Sequence, residues 1–246
     1  MTEPLAVVTG GTRGIGLELS RRLIHLGHRV VAFYWSDRTA AEKCEAEHPG
    51  RLTAMRVDLA DADAVTAAAR RVLAEHGTPA VLVNNAGINL DRPFLELTRE
   101  DWRRVLDTNL SGPFWLTQAL APAMLDAGGG HVVNVGATTG MRPRVNGANY
   151  CASKAGLLQL TKCLALELGP TIRVNCLIPG MIDTEELRTR WRLDDPERMA
   201  QTLDEIPQRR IGTTEDVADA LEFIVGPNGS YFNGQKLIVD GGQFMW

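Results

Sequence analysis

The chain has 246 residues, 44% of them hydrophobic, which is enough for one large core and within the range of a single α/β domain. Its formal net charge is −4 and no block of like charges occurs, so neither nucleic acid nor an anionic membrane is expected as a partner. No apolar run approaches the about 20 residues that cross a bilayer, and the start of the chain shows no leader pattern, so a cytoplasmic protein is expected.

In chain order, residues 5–9 read as a short strand and 15–26 as a helix, then 30–34 as a strand and 39–48 as a helix. Residues 52–57 and 81–84 repeat the strand signal around a helix at 62–75. A helical segment spans 99–125, a strand follows at 132–135, a helix at 150–168 and a strand at 172–177. Nearly continuous apolar strands alternating with helices predict an α/β fold, a doubly wound parallel sheet of about seven strands covered on both faces. One Rossmann-type domain over 1–246 accommodates every element. Residues 181–210 break the alternation with many charges and with Pro196 and Pro207. Such an insertion after a strand reads as a substrate lid, with a plain surface excursion as the alternative. The four cysteines, Cys44, Cys151, Cys163 and Cys176, show neither CxxC pairing nor a histidine pattern at metal-ligand spacing, so reduced thiols and no metal are expected.

The first strand runs into Thr9-Gly10-Gly11-Thr12-Arg13-Gly14-Ile15-Gly16. Small residues between a strand and a helix let the backbone approach a pyrophosphate, and the helix N-terminus offers free N–H groups to it. Asp58 ends the third strand, where a carboxylate meets an adenine amino group. Asn84-Asn85-Ala86-Gly87 ends the fourth, at the edge where open α/β sheets bind ligands. An acid at the end of the second strand holds the 2′-hydroxyl of NAD, and Val31-Ala32-Phe33-Tyr34-Trp35-Ser36 has none there. Arg13, Ser36 and Arg38 are candidates for a 2′-phosphate, so NADP(H) is expected. Asp37 would reverse that choice if the strand ended later.

Tyr150 and Lys154 stand four residues apart, on one face of a helix. A phenol with a pKa of about 10 is a poor acid or base at neutral pH, and an ammonium beside it favours the phenolate. Tyr150 is therefore read as the group that gives a proton to a carbonyl oxygen or takes one from an alcohol.

Taken together, these motifs resemble the short-chain dehydrogenase/reductase family over essentially the whole chain, most of all the 3-oxoacyl-carrier-protein reductases and related ketoreductases. The likeness extends to Asn109, to Pro179-Gly180 and Thr184, to the runs from Arg210 to Ala218, and to Asn233-Gly234 and Val239-Asp240-Gly241-Gly242. It implies that Asn109 holds a water of a proton relay beside Lys154. It also implies that Lys154 bonds the nicotinamide ribose, and that Gly10, Thr12, Arg13, Gly14, Ile15, Gly16, Ser36, Arg38, Asp58, Leu59, Asn85, Ala86 and Gly87 bind the nucleotide. Pro179, Gly180 and Thr184 would line the nicotinamide, and Ile182 would bond its carboxamide through the backbone. A homotetramer or dimer is implied as well.

Two positions depart from the family pattern. Its serine, thirteen residues before the tyrosine, is Ala137 here, which cannot donate to a substrate oxygen. Losing one such donor costs about 10²–10³ in rate. Thr138 or Thr139 stand in for it, or the substrate brings its own hydroxyl, or Tyr150 suffices alone. Alternation along a strand favours Thr139 over Thr138. The stretches before the fifth and sixth strands also lack lysine and arginine, which makes docking of an acidic carrier protein doubtful. Arg142 and Arg144 remain to meet an anionic substrate. The expectation is an NADPH-dependent ketoreductase acting on a small carbonyl. An oxidative alcohol dehydrogenase and a non-catalytic dinucleotide-binding protein are the alternatives. Trp35, Trp191 and Trp246 are read as packing residues rather than pocket walls.

Overall fold

The computed structural model describes residues 3–245, so Trp246 lies outside the described residues. Strand and helix alternate through β1 (Leu5–Thr9), α1 (Gly14–His25), β2 (Arg29–Tyr34), α2 (Arg38–Glu47), β3 (Leu52–Arg56), α3 (Ala62–Glu75) and β4 (Pro79–Asn84). α4 (Arg99–Leu106) and α5 (Gly112–Asp126) precede β5 (Gly130–Val135), and α6 (Ala148–Leu168) precedes β6 (Ile172–Pro179). α7 (Glu185–Trp191), α8 (Pro196–Glu205) and α9 (Thr214–Val225) precede β7 (Lys236–Val239).

The strands form one parallel seven-stranded sheet in the order β3-β2-β1-β4-β5-β6-β7. Successive side chains of a strand leave on opposite faces. Leu5 and Val7 of β1 accordingly join Val31, Phe33, Leu82 and Val132 under α3 and α5. Ala6 and Val8 join Ala32, Val81, Val83 and Val133 under α1 and α9. Both faces are therefore dry, which is why the strands read as apolar runs rather than as an alternation. The order in which strands are added reverses between β1 and β4, and the crevice beyond their carboxyl ends is where such sheets take a ligand.

Several details go beyond the sequence reading or differ from it. The helix expected over 99–125 is interrupted by a π turn at Asp107–Ser111. There a Cβ on Gly112 would stand 2.6 Å from the Leu59 carbonyl oxygen, so close packing on the β3–α3 loop accompanies the break. The insertion at 181–210 holds two short helices, α7 and α8. β7, four partly exposed residues, and α9 are elements that periodicity alone did not single out. Trp35 and Trp191 are each 47% exposed, and Trp35 both packs under Arg56, 4.6 Å from its ring centre, and lines a surface cleft.

Candidate active site

The glycine loop is held by steric necessity. Gly10 and Gly14 have φ of +64° and +52°, the left-handed region that favours glycine. A Cβ on Gly16 would lie 2.1 Å from the Gly10 carbonyl oxygen, so only glycine lets α1 start this close to β1. Arg13 is the N-cap of α1 but its side chain makes no capping bond, and the first turn has no acidic residue. The N–H groups of Gly14, Ile15 and Gly16 and the helix dipole are thus left for an anion, with Thr12 buried beneath the loop. A cradle that a Cβ would fill, under an uncapped helix N-terminus, fits a dinucleotide pyrophosphate.

Thr9 ties this loop to β4. Its hydroxyl accepts from the amides of Asn85 and Ala86, both at 3.0 Å, and the Asn85 side chain donates back to the Thr9 carbonyl at 3.0 Å. Behind them the Asn84 amide donates to Asn134 at 2.8 Å, and the Asn134 amide donates to Thr161 at 2.9 Å. This buried chain fastens β4 to β5 and to α6.

Just past β3, Asp58 accepts from the Ala60 amide at 3.0 Å and from Arg104 at 2.9 Å. Burial works to raise the Asp58 carboxyl, but the Arg104 hydrogen bond and the Ala60 amide outweigh it and the pKa is lowered. Leu59 next to it is buried. β2 ends at Tyr34, and Asp37 spends its carboxylate on the N-cap of α2, accepting from the Ala40 amide at 2.9 Å. Beside it a cleft of about 450 Å³ lies between Trp35, Ser36, Arg38 and Arg56. Arg38 is exposed and pairs with Glu42 at 2.7 Å.

On the opposite side, Pro179 closes β6 and Gly180 abuts β7, its amide donating to the Val239 carbonyl at 2.9 Å. Ile182 is buried in a parallel bridge with Gly212. That bridge uses the Met181 carbonyl and the Asp183 amide, which leaves Ile182's own N–H and C=O outside it. Thr184 caps α7 by accepting from the Leu187 amide at 3.2 Å, and its methyl would stand 3.7 Å from a Cβ on Gly14. The insertion therefore crosses over the glycine loop.

Tyr150 and Lys154 share one face of α6, with the Lys154 ammonium 5.8 Å from the Tyr150 ring centre. Lys154 is buried and donates to the Val135 carbonyl at 2.7 Å. Asn109, on the π turn, is also buried. Its carboxamide accepts from the Ile88 amide at 2.8 Å and donates to the Ile88 carbonyl at 3.0 Å. A Cβ on Gly87 would lie 3.5 Å from both Asn109 Oδ1 and Lys154 Nζ, so Gly87 keeps the mouth of this corner open. Burial pulls Lys154 down to about 8 and pushes the Tyr150 phenol up to about 12. The Tyr150 shift thus runs opposite to the lowering expected from its neighbouring lysine, because desolvation outweighs every nearby charge.

Ala137 is extended, and the chain then turns at once into a 3-10 turn over Thr138–Gly140. Strand alternation stops at Ala137, so the parity argument that favoured Thr139 over Thr138 does not apply. The Thr139 hydroxyl is sealed from solvent and has no hydrogen-bond partner. Arg144 is engaged by Asp91 and Asn89 rather than free for an anion, and its guanidinium lies 5.4 Å from the Tyr150 ring centre. Ser153, which accepts from Asn109 at 3.2 Å, is a site residue the sequence reading missed, whereas Thr9 opens the glycine-loop motif and Asn89 opens the 89–94 stretch expected, with 137–149 and 181–210, to form the pocket. All four cysteines are free. Among the described residues no helix is long and apolar enough to cross a membrane.

A switch-point crevice with a glycine cradle and a Tyr–Lys pair defines a nicotinamide-dependent oxidoreductase of the Rossmann type. The family model for short chain dehydrogenases matches residues 4–219, and the chain belongs to that family. The 3-oxoacyl-[acyl-carrier-protein] reductase of Chlamydia muridarum is 36% identical over 97% of this chain and 96% of its own. The 2-(R)-hydroxypropyl-CoM dehydrogenase of Xanthobacter autotrophicus is 38% identical over 96% of this chain and 97% of its own. Among solved structures, an Agrobacterium tumefaciens protein provisionally assigned as a gluconate dehydrogenase superposes with a TM-score of 0.91 at 30% identity, covering 98% of this chain and 95% of that one.

Proposed function

We propose that this chain is an NADPH-dependent ketoreductase that reduces a small carbonyl or an oxoacyl/polyketide-like substrate. The observation that carries the reading is the corner where Tyr150, Lys154 and Asn109 meet beside Gly87, at the carboxyl end of β4. When bound, the nicotinamide supplies the hydride. Tyr150, held protonated by burial, gives its proton to the carbonyl oxygen. Lys154 stabilises the phenolate left behind, and Asn109 anchors the relay that returns a proton. Gly10, Gly14, Ile15 and Gly16 would hold the pyrophosphate, Asp58 and Leu59 the adenine, and Asn85, Ala86 and Gly87 the ribose side. Pro179, Gly180, Ile182 and Thr184 would face the nicotinamide.

The choice of NADPH rests on the end of β2. Tyr34 offers no carboxylate to a ribose 2′-hydroxyl, Asp37 is committed to α2, and Arg13 stands exposed beside the loop. The insertion carrying α7 and α8 acts as the lid. Phe114 on α5 and Leu166 on α6 are 39% and 84% exposed, which supports assembly with further copies of the chain through these helices. Carrier-protein docking stays doubtful, because Ala127 to Gly130 present no cation.

The test is consumption of reduced cofactor against ketones, diketones and oxoacyl thioesters. Turnover that vanishes in Tyr150→Phe supports the reading. Tight cofactor binding with no turnover on any carbonyl would move the protein to the non-catalytic class that Ala137 suggests. The kinship with a hydroxypropyl-CoM dehydrogenase favours one second reading, oxidation of an alcohol, which the same assay decides when run with NADP and hydroxy substrates.

A further inference from the structure

A carbonyl oxygen that takes a proton from Tyr150 has a second lone pair, and catalysis improves when a preorganised donor meets it. Ala137 presents a methyl there. Thr139 is half-buried, and its hydroxyl is closed off from solvent. The loop after β4 offers a different donor.

Asn89 lies in that loop between two clamped neighbours. Ile88 is gripped at both its amide and its carbonyl by Asn109. The carbonyl of Leu90 accepts from the side chain of Asn149 at 2.9 Å, and Asn149 in turn accepts from the Tyr150 amide at 2.8 Å. The backbone of Asn89 is thus tied on one side to the relay residue and on the other to the start of α6, beside the phenol. Its side chain is oriented as well. Oδ1 accepts from Arg144 at 2.8 Å, and Arg144 is itself locked by Asp91 while its guanidinium covers the Tyr150 ring. A guanidinium can only donate, so it fixes which end of the carboxamide faces it and turns Nδ2 away. Asn89 also acts on the Tyr150 phenol as a hydrogen-bond donor, the direction that favours the phenolate, which sets its amide beside the hydroxyl that meets the substrate oxygen.

We infer that Asn89 is a catalytic residue whose amide nitrogen donates to the substrate carbonyl oxygen beside Tyr150, with Arg144 as its positioning residue. The inference rests on the reading of Tyr150 as the proton donor. It accounts for an active site in which Ala137 stands where the family pattern has a serine, and it directs the search toward substrates whose oxygen can lie between Asn89 and Tyr150.

The test uses the full-length protein and the best carbonyl found for it. Asn89→Asp keeps the shape and the Arg144 contact but removes the donor, and Asn89→Ala removes the side chain. Each is expected to lower kcat by about 10²–10³-fold while the dissociation constant for the reduced cofactor changes less than threefold. Ala137→Ser placed in the Asn89→Ala background is expected to recover at least tenfold, which a merely structural defect would not allow. Thr139→Val is expected to leave kcat within threefold. The inference is overturned if Tyr150→Phe is inactive while both Asn89 variants keep kcat within threefold, or if Thr139→Val shows the loss instead. If Tyr150→Phe retains turnover, or the wild type reduces no carbonyl, the reading of Tyr150 falls and this inference falls with it.

Discussion

Lys154 donates to the carbonyl of Val135 across 2.7 Å, so the cation of the site is anchored to the last residue of β5 and not to the phenol it serves. Burial brings that ammonium to about 8 and leaves Tyr150 protonated up to about 12. Carbonyl reduction needs both in their protonated forms. The rate constant kcat/KM is therefore expected to stay level below about pH 8 and to fall about tenfold per unit above it, with Lys154 as the group that titrates. Lys154→Arg remains charged throughout, so this variant, though slower, is expected to lose the falling limb. A limb unchanged in Lys154→Arg would assign it to another group.

Gly16→Ala tests the cradle. Its methyl would meet the Gly10 carbonyl oxygen at 2.1 Å and the Asn85 side chain at 2.4 Å, and neither is the loose end of a flexible chain. The loop must shift away from the start of α1. Cofactor affinity is expected to drop by at least tenfold, measured by fluorescence of the reduced nucleotide, while most far-ultraviolet circular dichroism is retained.

The sheet was legible because both of its faces are dry. Six strands show up as apolar runs, whereas β7 lies at the sheet edge with mixed exposure and leaves no such trace. The π turn at Asp107–Ser111 escapes a reading by period because five residues there still look helical, although it carries Asn109 into the site. Local spacing exposes Tyr150 and Lys154, four residues apart on one helix. Asn89 is different. Its meaning depends on Arg144, 55 residues away, and on a loop crossing that no local spacing encodes. The same holds for Thr9, whose hydroxyl serves amides 76 and 77 residues further on. Helical spacing suggested that Lys154 would lower Tyr150, but the spacing carries no information about desolvation.

Arg13 is the clearest lever on cofactor choice. It is exposed at the N-cap of α1 and beside the phosphate cradle. A charged hydrogen bond to a 2′-phosphate is worth about 1.5–3 kcal/mol, or about ten- to a hundredfold. Arg13→Ala is expected to raise KM for NADPH by that factor and to leave KM for NADH nearly unchanged. Arg38→Ala is expected to do less, since Arg38 already pairs with Glu42 at 2.7 Å. Equal losses on both nucleotides in Arg13→Ala would remove the 2′-phosphate from the account.

His131 sets an acid limit on the fold. It lies on β5, opposite Val81 on one side and Arg173 on the other, with Nδ1 sealed and unpaired. Burial, then the Arg173 charge, lowers its pKa from 6.5 to about 4. Between those values the unfolded chain binds a proton that the folded chain refuses. Stability is therefore complete above about pH 6.5 and is lost as the pH falls toward about 4. Allowing for the partial exposure of the ring, the loss by pH 5 is about 1 kcal/mol. His131→Gln cannot titrate and is expected to show a shallower decline in unfolding free energy from pH 7 to pH 5, measured by urea denaturation. His28 and His76 are lowered by burial too, and the His28 charge is one cause of the His131 shift, so the difference between the two curves reports His131 together with its coupling to His28. Parallel curves would mean that the ring gains enough water in the folded state to accept its proton freely.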